Sequence, residues 1–253
     1  QGRSGRTMLI ALMSDIHGNR EAFDACLNHA RKQGAERYII LGDLVGYGAD
    51  PAYIVDVARG MQEKGAIVLL GNHDEAVSGS LSGMNEYARA ALEWTRGKLD
   101  VAQKKWLAEL PRTHREGDAL YVHSDASNPA AWIYVNNPAV AERSMRASDA
   151  HVTFCGHVHV PQLFNMASMK PAIPFTPQSA IPVPLSPSRK WLAVLGAVGQ
   201  PRDQIPTAAY CIYDDARRTV SYCRAPYDIE RAAQKIKNAG LPAILSARLF
   251  VGR

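Results

Sequence analysis

The amino-acid sequence predicts an α/β protein of four layers, an αββα sandwich in which two mixed sheets pack face to face with helices outside. Three observations support this. The first third alternates strand-like apolar runs with helical periodicity in a βαβαβ order, the grammar of a parallel sheet. The last third carries three closely spaced strand-like runs, so a β-rich half follows an α/β half. Several runs also end in turns crowded with aspartate and histidine. The carboxyl ends of strands are where open α/β sheets place their sites.

The elements follow in order. Thr7 to Ser14 (TMLIALMS) is a continuous apolar run, as expected for a strand covered on both faces. Asn19 is a helix cap for residues 20–32, where Ala22, Phe23, Cys26, Leu27 and Ala30 mark one face and Gly34 ends the helix. A strand at 37–42 comes next. Asp50 and Pro51 supply an N-cap and a first-turn proline for a helix to Lys64, and 66–70 is a third buried strand. Residues 72–74 read as turn chemistry. Helical spacing returns over 85–97 and over 100–110, where Pro111 stops it. Strands at 119–123 and 151–155 flank a helix near 138–147. Residues 166–190 are proline-rich and aperiodic, which excludes a regular helix or central strand and suggests a mobile surface insertion. Strand-like runs at 191–195, 208–213 and 219–224 lead to a terminal helix capped by Asp228 and ended by Gly240.

Composition narrows the class. An apolar fraction of 47% with 21% charged residues is ordinary for a globular protein, and 253 residues suit a single α/β domain. No apolar run approaches the ~20 residues that span a bilayer. The polar start has no signal-peptide core, and residues 1–7 read as an expression-tag remnant ahead of a domain covering 8–253. Two of the formal +5 charges belong to Arg3 and Arg6, leaving +3 for the domain. The basic residues form no dense cluster, so nucleic acid is not expected as a partner. Cys26, Cys155, Cys211 and Cys223 form no CxxC pair, and the expectation is four reduced thiols in a cytoplasmic protein.

The chemistry lies in five segments: SDIHGN, LGDLVGYG, GNHDE, YVHSD and GHVHVP. Together they offer Asp15, His17, Asp43, Asn72, His73, Asp74, His123, His157 and His159. Each segment alone reads as helix capping, a turn or a strand-end histidine. Their joint occurrence, each after an apolar run, is what points to a metal site. Oxygen and imidazole donors without thiolate suit Mn, Fe or Zn. Four histidines and two aspartates exceed one tetrahedral site and match two adjacent ions.

These five segments resemble the calcineurin-like metallophosphoesterase superfamily, whose pattern is D-x-H, G-D, G-N-H-D/E, H and G-H-x-H. The tail segments GAVGQPRD, AAYCIYD and APYDIE are similar to its bacterial diadenosine-tetraphosphatase-like branch. The resemblance implies that Asp15, His17, Asp43 and His159 bind one metal ion and Asp43, Asn72, His123 and His157 a second, with Asp43 bridging. It implies that His73 is the general acid or transition-state stabiliser, with Asp74 orienting its ring and favouring its protonated form. The implied activity is hydrolysis of a phosphate ester, a phosphodiester or nucleotide, by direct attack of a metal-bound hydroxide. The implied partner is a small phosphorylated substrate. Asn19 and Tyr47 are candidates to line the substrate pocket, against helix capping and loop packing. Arg202 is a candidate phosphate contact, against a surface salt bridge. Three departures stand out: Ser124 follows His123 where glycine is usual, Ala197 replaces a serine, and GDLVGYG lacks the arginine of the Ser/Thr protein phosphatases. A non-catalytic metal-binding scaffold and a nuclease are the alternative readings.

Overall fold

The computed structural model of the protein describes residues 8–253; the tag expected over 1–7 lies outside them. The chain opens with β1 (Leu9–Met13), α1 (Arg20–Lys32), β2 (Ala35–Ile40), α2 (Pro51–Glu63), β3 (Ile67–Val68) and α3 (Asn72–Ser78). Helices α4 (Glu86–Arg96) and α5 (Val101–Ala108) precede β4 (Thr113–Glu116) and β5 (Ala119–Val122). Then come α6 (Pro138–Arg146), β6 (Val152–Cys155), β7 (Gln162–Ala167), β8 (Ile173–Phe175), β9 (Val183–Pro184) and β10 (Arg189–Val194). The chain closes with β11 (Ala208–Asp214), β12 (Thr219–Ala225), α7 (Ile229–Asn238) and α8 (Ala243–Val251).

Two six-stranded mixed sheets result, in the orders β3-β2-β1-β11-β12-β9 and β4-β5-β6-β10-β7-β8. In the first, β1 pairs parallel with β2 and antiparallel with β11, so strands from the two ends of the chain meet at its centre. Period-two alternation along each strand then divides the core. Ile10 and Leu12 of β1 face the second sheet and pack with Tyr121, Phe154 and Trp191, while Ala11 and Met13 face α1 and α2. On the far side, Phe164, Leu192 and Val194 pack under Ala141 and Met145 of α6. The layers are helix, sheet, sheet and helix, as the sequence predicts. All four cysteines are free and buried. Among the described residues no helix is long and apolar enough to cross a membrane.

Local chemistry explains most helix starts. The side chains of Asn19, Asn85, Asp100, Asn137 and Asp228 each accept a first-turn N–H. Asp50 does not; its carboxylate pairs with Lys235 of α7 at 2.8 Å, so it ties two helices together instead of capping one. The helix ending before Gly240 is not the last, since α8 follows it. The proline-rich stretch is not structureless either. It contains the end of β7, all of β8 and β9 and the start of β10, and supplies an edge strand to each sheet. Edge positions are where prolines such as Pro174 and Pro184 are tolerated, because a missing N–H breaks no central ladder. β9 pairs with Thr219 and Val220, level with the amino end of β1, which places it at the end of the sheet away from the aspartate and histidine turns.

Leu12 is fully buried between the sheets. Leu12→Ala is expected to lower the unfolding free energy by about 2–5 kcal/mol, read from urea denaturation as a fall in midpoint at constant slope.

Candidate metal centre

The turns after β1, β2, β3, β5 and β6 converge at one end of the two sheets. Five of the residues they present, Asp15, His17, Asp43, His157 and His159, have φ between 49° and 67°. Left-handed backbone in a non-glycine residue costs on the order of 1–3 kcal/mol and persists where the surroundings enforce it. Close packing enforces it here: a Cβ on Gly71 would collide with the Asp43 carboxylate, and one on Gly156 with Ser14 and the Asp15 carboxylate.

The donor atoms fall into two groups that share Asp43. One comprises Asp15, His17, Asp43 and His159, the other Asp43, His123 and His157, with the atoms of each within 4.8 Å of one another. Asp43 Oδ2 lies 3.6 Å from His17 Nε2 and 3.4 Å from His123 Nε2, so one oxygen faces both groups. Asp43 Oδ1 accepts the backbone N–H of His73 at 2.9 Å. Asp15 Oδ1 is 3.2 Å from His159 Nε2, and its Oδ2 accepts the N–H of His157.

Each histidine is aimed by a backbone carbonyl. Nδ1 of His17, His123 and His159 contacts the carbonyls of Val45, Leu41 and Gln200 at 3.0, 2.9 and 2.7 Å. An Nδ1–H donated there leaves Nε2 as a lone pair pointing into the cluster. His157 is reversed: Nε2 contacts the Trp132 carbonyl at 2.9 Å, which leaves Nδ1 for the cluster. Asp15 Oδ1, Asn72 Oδ1 and His123 Nε2 are buried without a hydrogen-bond partner. Buried polar atoms are normally paired. A cluster of oxygen and imidazole lone pairs, three of them orphaned, fits divalent cations, and Asn72 stands beside His73 as a seventh donor residue. Ser124 does not disturb His123, whose ring is held by Leu41.

Electrostatics tell the same story. Burial would raise the Asp43 carboxyl, but the imidazoles of His123, His73 and His17 outweigh it and hold it well below the usual range. Asp15 is likewise held down against its burial, chiefly by His159. Burial would lower His123, yet the neighbouring Asp43, then Asp15 and Asp74, push it up to about 9. Burial drives His17 well below its ordinary value and His157 down to about 3, leaving both neutral. A proton on His123 therefore serves as a weak substitute for a metal cation.

Asp74 does not orient the His73 ring. Its Oδ1 accepts from the N–H groups of Leu44 and Val45 at 2.8 and 3.3 Å, and its Oδ2 from Gly71 at 3.0 Å, so it braces the loop that carries Asp43. Residues 72–74 form the first turn of α3 and not an open turn. His73 Nδ1 is buried against Gly46 with no partner. Burial pushes His73 down to about 4, aided by His159, His123 and Arg202, so its neutral form is favoured, contrary to the protonated form that the resemblance implies.

The other candidates divide. Asn19 caps α1 through Ala22 and donates to the Gly199 carbonyl at 2.9 Å, which engages both polar ends of its side chain within the fold. The Tyr47 ring packs 4.7 Å from those of His17 and His73 and is only 5% exposed; it is a wall of the cluster. Arg202 makes no salt bridge among the described residues; its guanidinium donates to Gln200 Oε1, and its N–H holds the His159 carbonyl. Trp132 and Tyr134, which belong to none of the five segments, also border the cluster. The first holds His157 by its carbonyl and meets the His123 ring edge-on, and the second stacks on His157 at 4.1 Å. Their only sequence signal is aromatic residues in a polar, proline-containing loop.

The family model described as the calcineurin-like phosphoesterase superfamily domain matches residues 8–216. With the fold and the paired donor groups above, the chain belongs to this superfamily and carries a candidate dinuclear metal site. An uncharacterized protein of Methanocaldococcus jannaschii is 34% identical over 251 residues, covering 97% of this chain and 98% of that one. The crystal structure of a metallophosphoesterase from Sphaerobacter thermophilus is also 34% identical, covers 98% of this chain and 100% of its own, and superposes with a TM-score of 0.85. A structure from Pyrococcus horikoshii shares the fold at 19% identity, with a TM-score of 0.77 over 97% of this chain and 99% of that one.

Two outcomes are expected. Asp74→Ala strands three backbone donors and should destabilise the protein by on the order of 3 kcal/mol while lowering retained metal, both read from thermal melts and elemental analysis of the purified variant. Cation binding needs His123 deprotonated, so loading the chelated protein at pH 7 should release about one proton from His123. Calorimetry in buffers of different ionisation enthalpy measures it. The sign sets the trend: apparent metal affinity climbs as pH rises toward 9 and levels off above it.

Proposed function

We propose that this protein is a metal-dependent hydrolase of phosphate esters, acting on a phosphodiester or nucleotide with Mn, Fe or Zn at the paired site. The observation that carries the reading is the Asp43 oxygen facing both donor groups, with His73 fixed beside it through its own backbone. Asp15, His17, Asp43 and His159 would hold one ion, and Asp43, Asn72, His123 and His157 the other. Bound there, the ions would supply Lewis-acid stabilisation of phosphoryl oxygens and acidify a water molecule to make it a nucleophile near neutral pH.

The chain's own part is positioning. With no acceptor at Nδ1, the neutral His73 ring carries its proton on Nε2, where it can donate to a phosphoryl or departing oxygen. This favours transition-state stabilisation over full proton transfer. Tyr47 packs against His17 and His73 and limits their rotation. Trp132 and Tyr134 screen the His123 and His157 side from water. A complete donor set together with His73 supports an enzyme over a non-catalytic scaffold. A small phosphorylated substrate is favoured over duplex nucleic acid, which calls for an extended basic surface. Four buried free thiols support a reducing, cytoplasmic setting.

The test compares hydrolysis of bis(p-nitrophenyl) phosphate and p-nitrophenyl phosphate by Mn-loaded protein. Turnover favouring the diester is expected, and turnover of neither ester with metal bound would sink the reading. Asp43→Asn should remove activity and bound metal together. His73→Ala should lower kcat by roughly 100- to 1,000-fold with metal content near wild type, and loss of metal in that variant would make His73 a ligand instead.

A further inference from the structure

A second feature stands beside the metal centre and has no part in the chemistry above. A cavity of about 510 Å³ opens among α4, α8 and the loop after β10. Its wall carries three guanidinium groups, those of Arg202, Arg248 and Arg253, together with Asn85 and the aliphatic side chains of Ile244 and Val251. No carboxylate side chain lines it, and among the described residues none of the three arginines pairs with one.

Arg202 joins this cavity to the metal centre. Its N–H donates to the His159 carbonyl at 3.1 Å, and its guanidinium stands 5.8 Å from the centre of the Tyr47 ring that touches His17 and His73. The other two arginines are brought alongside by the docking of α8 on the same loop. Gln204 donates its N–H to the Gly252 carbonyl at 2.9 Å, and a side chain on Gly252 would press into the Ile205 backbone. Arg248 also lies over the Tyr87 ring of α4, 5.9 Å from its centre. Arginines near the end of a helix offset its dipole. That explains neither a third guanidinium arriving from a separate loop nor a lining of three arginines without an acidic side chain.

We propose that this cavity is a subsite for a second phosphate group of the substrate. The inference rests on the phosphoesterase reading and narrows its substrate class to organic esters bearing two phosphate groups. One is processed at the metal centre; the other is held by Arg248 and Arg253, with Arg202 between the two. Guanidinium forks match phosphate oxygens two at a time, and Ile244 and Val251 offer an apolar surface for the carbon body that joins the phosphates.

Two chromogenic esters test this with Mn-loaded protein: thymidine 5′-(p-nitrophenyl phosphate) and the same ester carrying a 3′-phosphate. The wild-type protein should show a KM roughly tenfold lower for the second ester. Arg248→Ala/Arg253→Ala should erase that preference, and Arg248→Lys/Arg253→Lys should keep part of it. Calorimetry provides a readout without turnover: thymidine 3′,5′-bisphosphate should bind the alanine double variant roughly tenfold more weakly than wild type, measured against thymidine 5′-monophosphate. Equal KM values for the two esters in wild type, or a preference that survives the alanine substitutions, overturns the subsite and leaves hydrolysis standing. A calorimetric difference without turnover of either ester keeps the anion site and overturns the hydrolase reading.

Discussion

Two carboxylates, Asp15 and Asp43, sit wholly buried within one cluster, and an ionised carboxylate out of water is costly unless positive charge or donors surround it. The rest of the structure is arranged around meeting that demand. One oxygen of each carboxylate is satisfied by a backbone N–H, of His157 and of His73. The other oxygen of each is turned toward imidazole nitrogens that backbone carbonyls have fixed as lone-pair donors. Lone pairs facing lone pairs repel, and a proton on His123 relieves only part of what bound cations would. The second circle of contacts is therefore almost entirely main chain: Val45, Leu41, Gln200 and Trp132 orient the rings, and Asp74 gathers three N–H groups to hold the Asp43 loop. Main-chain contacts depend on the fold and not on side-chain identity, which ties the precision of the cluster to the packing of both sheets.

The sequence made the architecture legible where local and tertiary preferences agreed. Residues 20–32 form the helix that Asn19 and the periodicity of Phe23, Cys26 and Ala30 predict, with the same boundaries. β1, which leads to Asp15, is apolar on both faces because helices cover one side and the second sheet the other. The structure brings Asp15, His17, Asp43, His123, His157 and His159 into two donor groups that share Asp43, with the His73 ring beside them. Other features left no trace in the residues. Helix α3 is short and starts at a glycine, which has no capping side chain to announce it, so residues 72–74 read as a turn. β7 and β8 carry too little alternation to stand out beside the prolines. The left-handed backbone at Asp15, His17, Asp43, His157 and His159 cannot be read from residue type, since Asp and His adopt it more often than most non-glycine residues yet still uncommonly, and the carbonyls that aim the histidines have no sequence signature at all.

Asp74 and Asn19 show how proximity in sequence misleads. Asp74 follows His73 directly, and an orienting contact between them is the natural expectation. On a helix, adjacent residues point about 100° apart, so the carboxylate turns back to the loop before it while the imidazole faces the cluster. Asn19 lies two residues from His17, yet it faces α1 and the Gly199 carbonyl. Conversely, Arg202, Trp132 and Tyr134 are remote in sequence from most of the ligands and border the cluster.

The pairing of β1 with β11 has a consequence for biosynthesis. β1 is made before β11, and this neighbour lies about 200 residues further along the chain. Until β11 emerges, an open edge of the first sheet and an apolar face meant for the second are both exposed. Such edges recruit other strands, and long-range pairing of this kind is slow because loop closure precedes the contacts that reward it. The βαβαβ half thus lacks its partner along β1 until β11 has been made. Closure of the sheet, and with it the meeting of the Asp15 turn with the Gln200 loop, waits until β11 has been made.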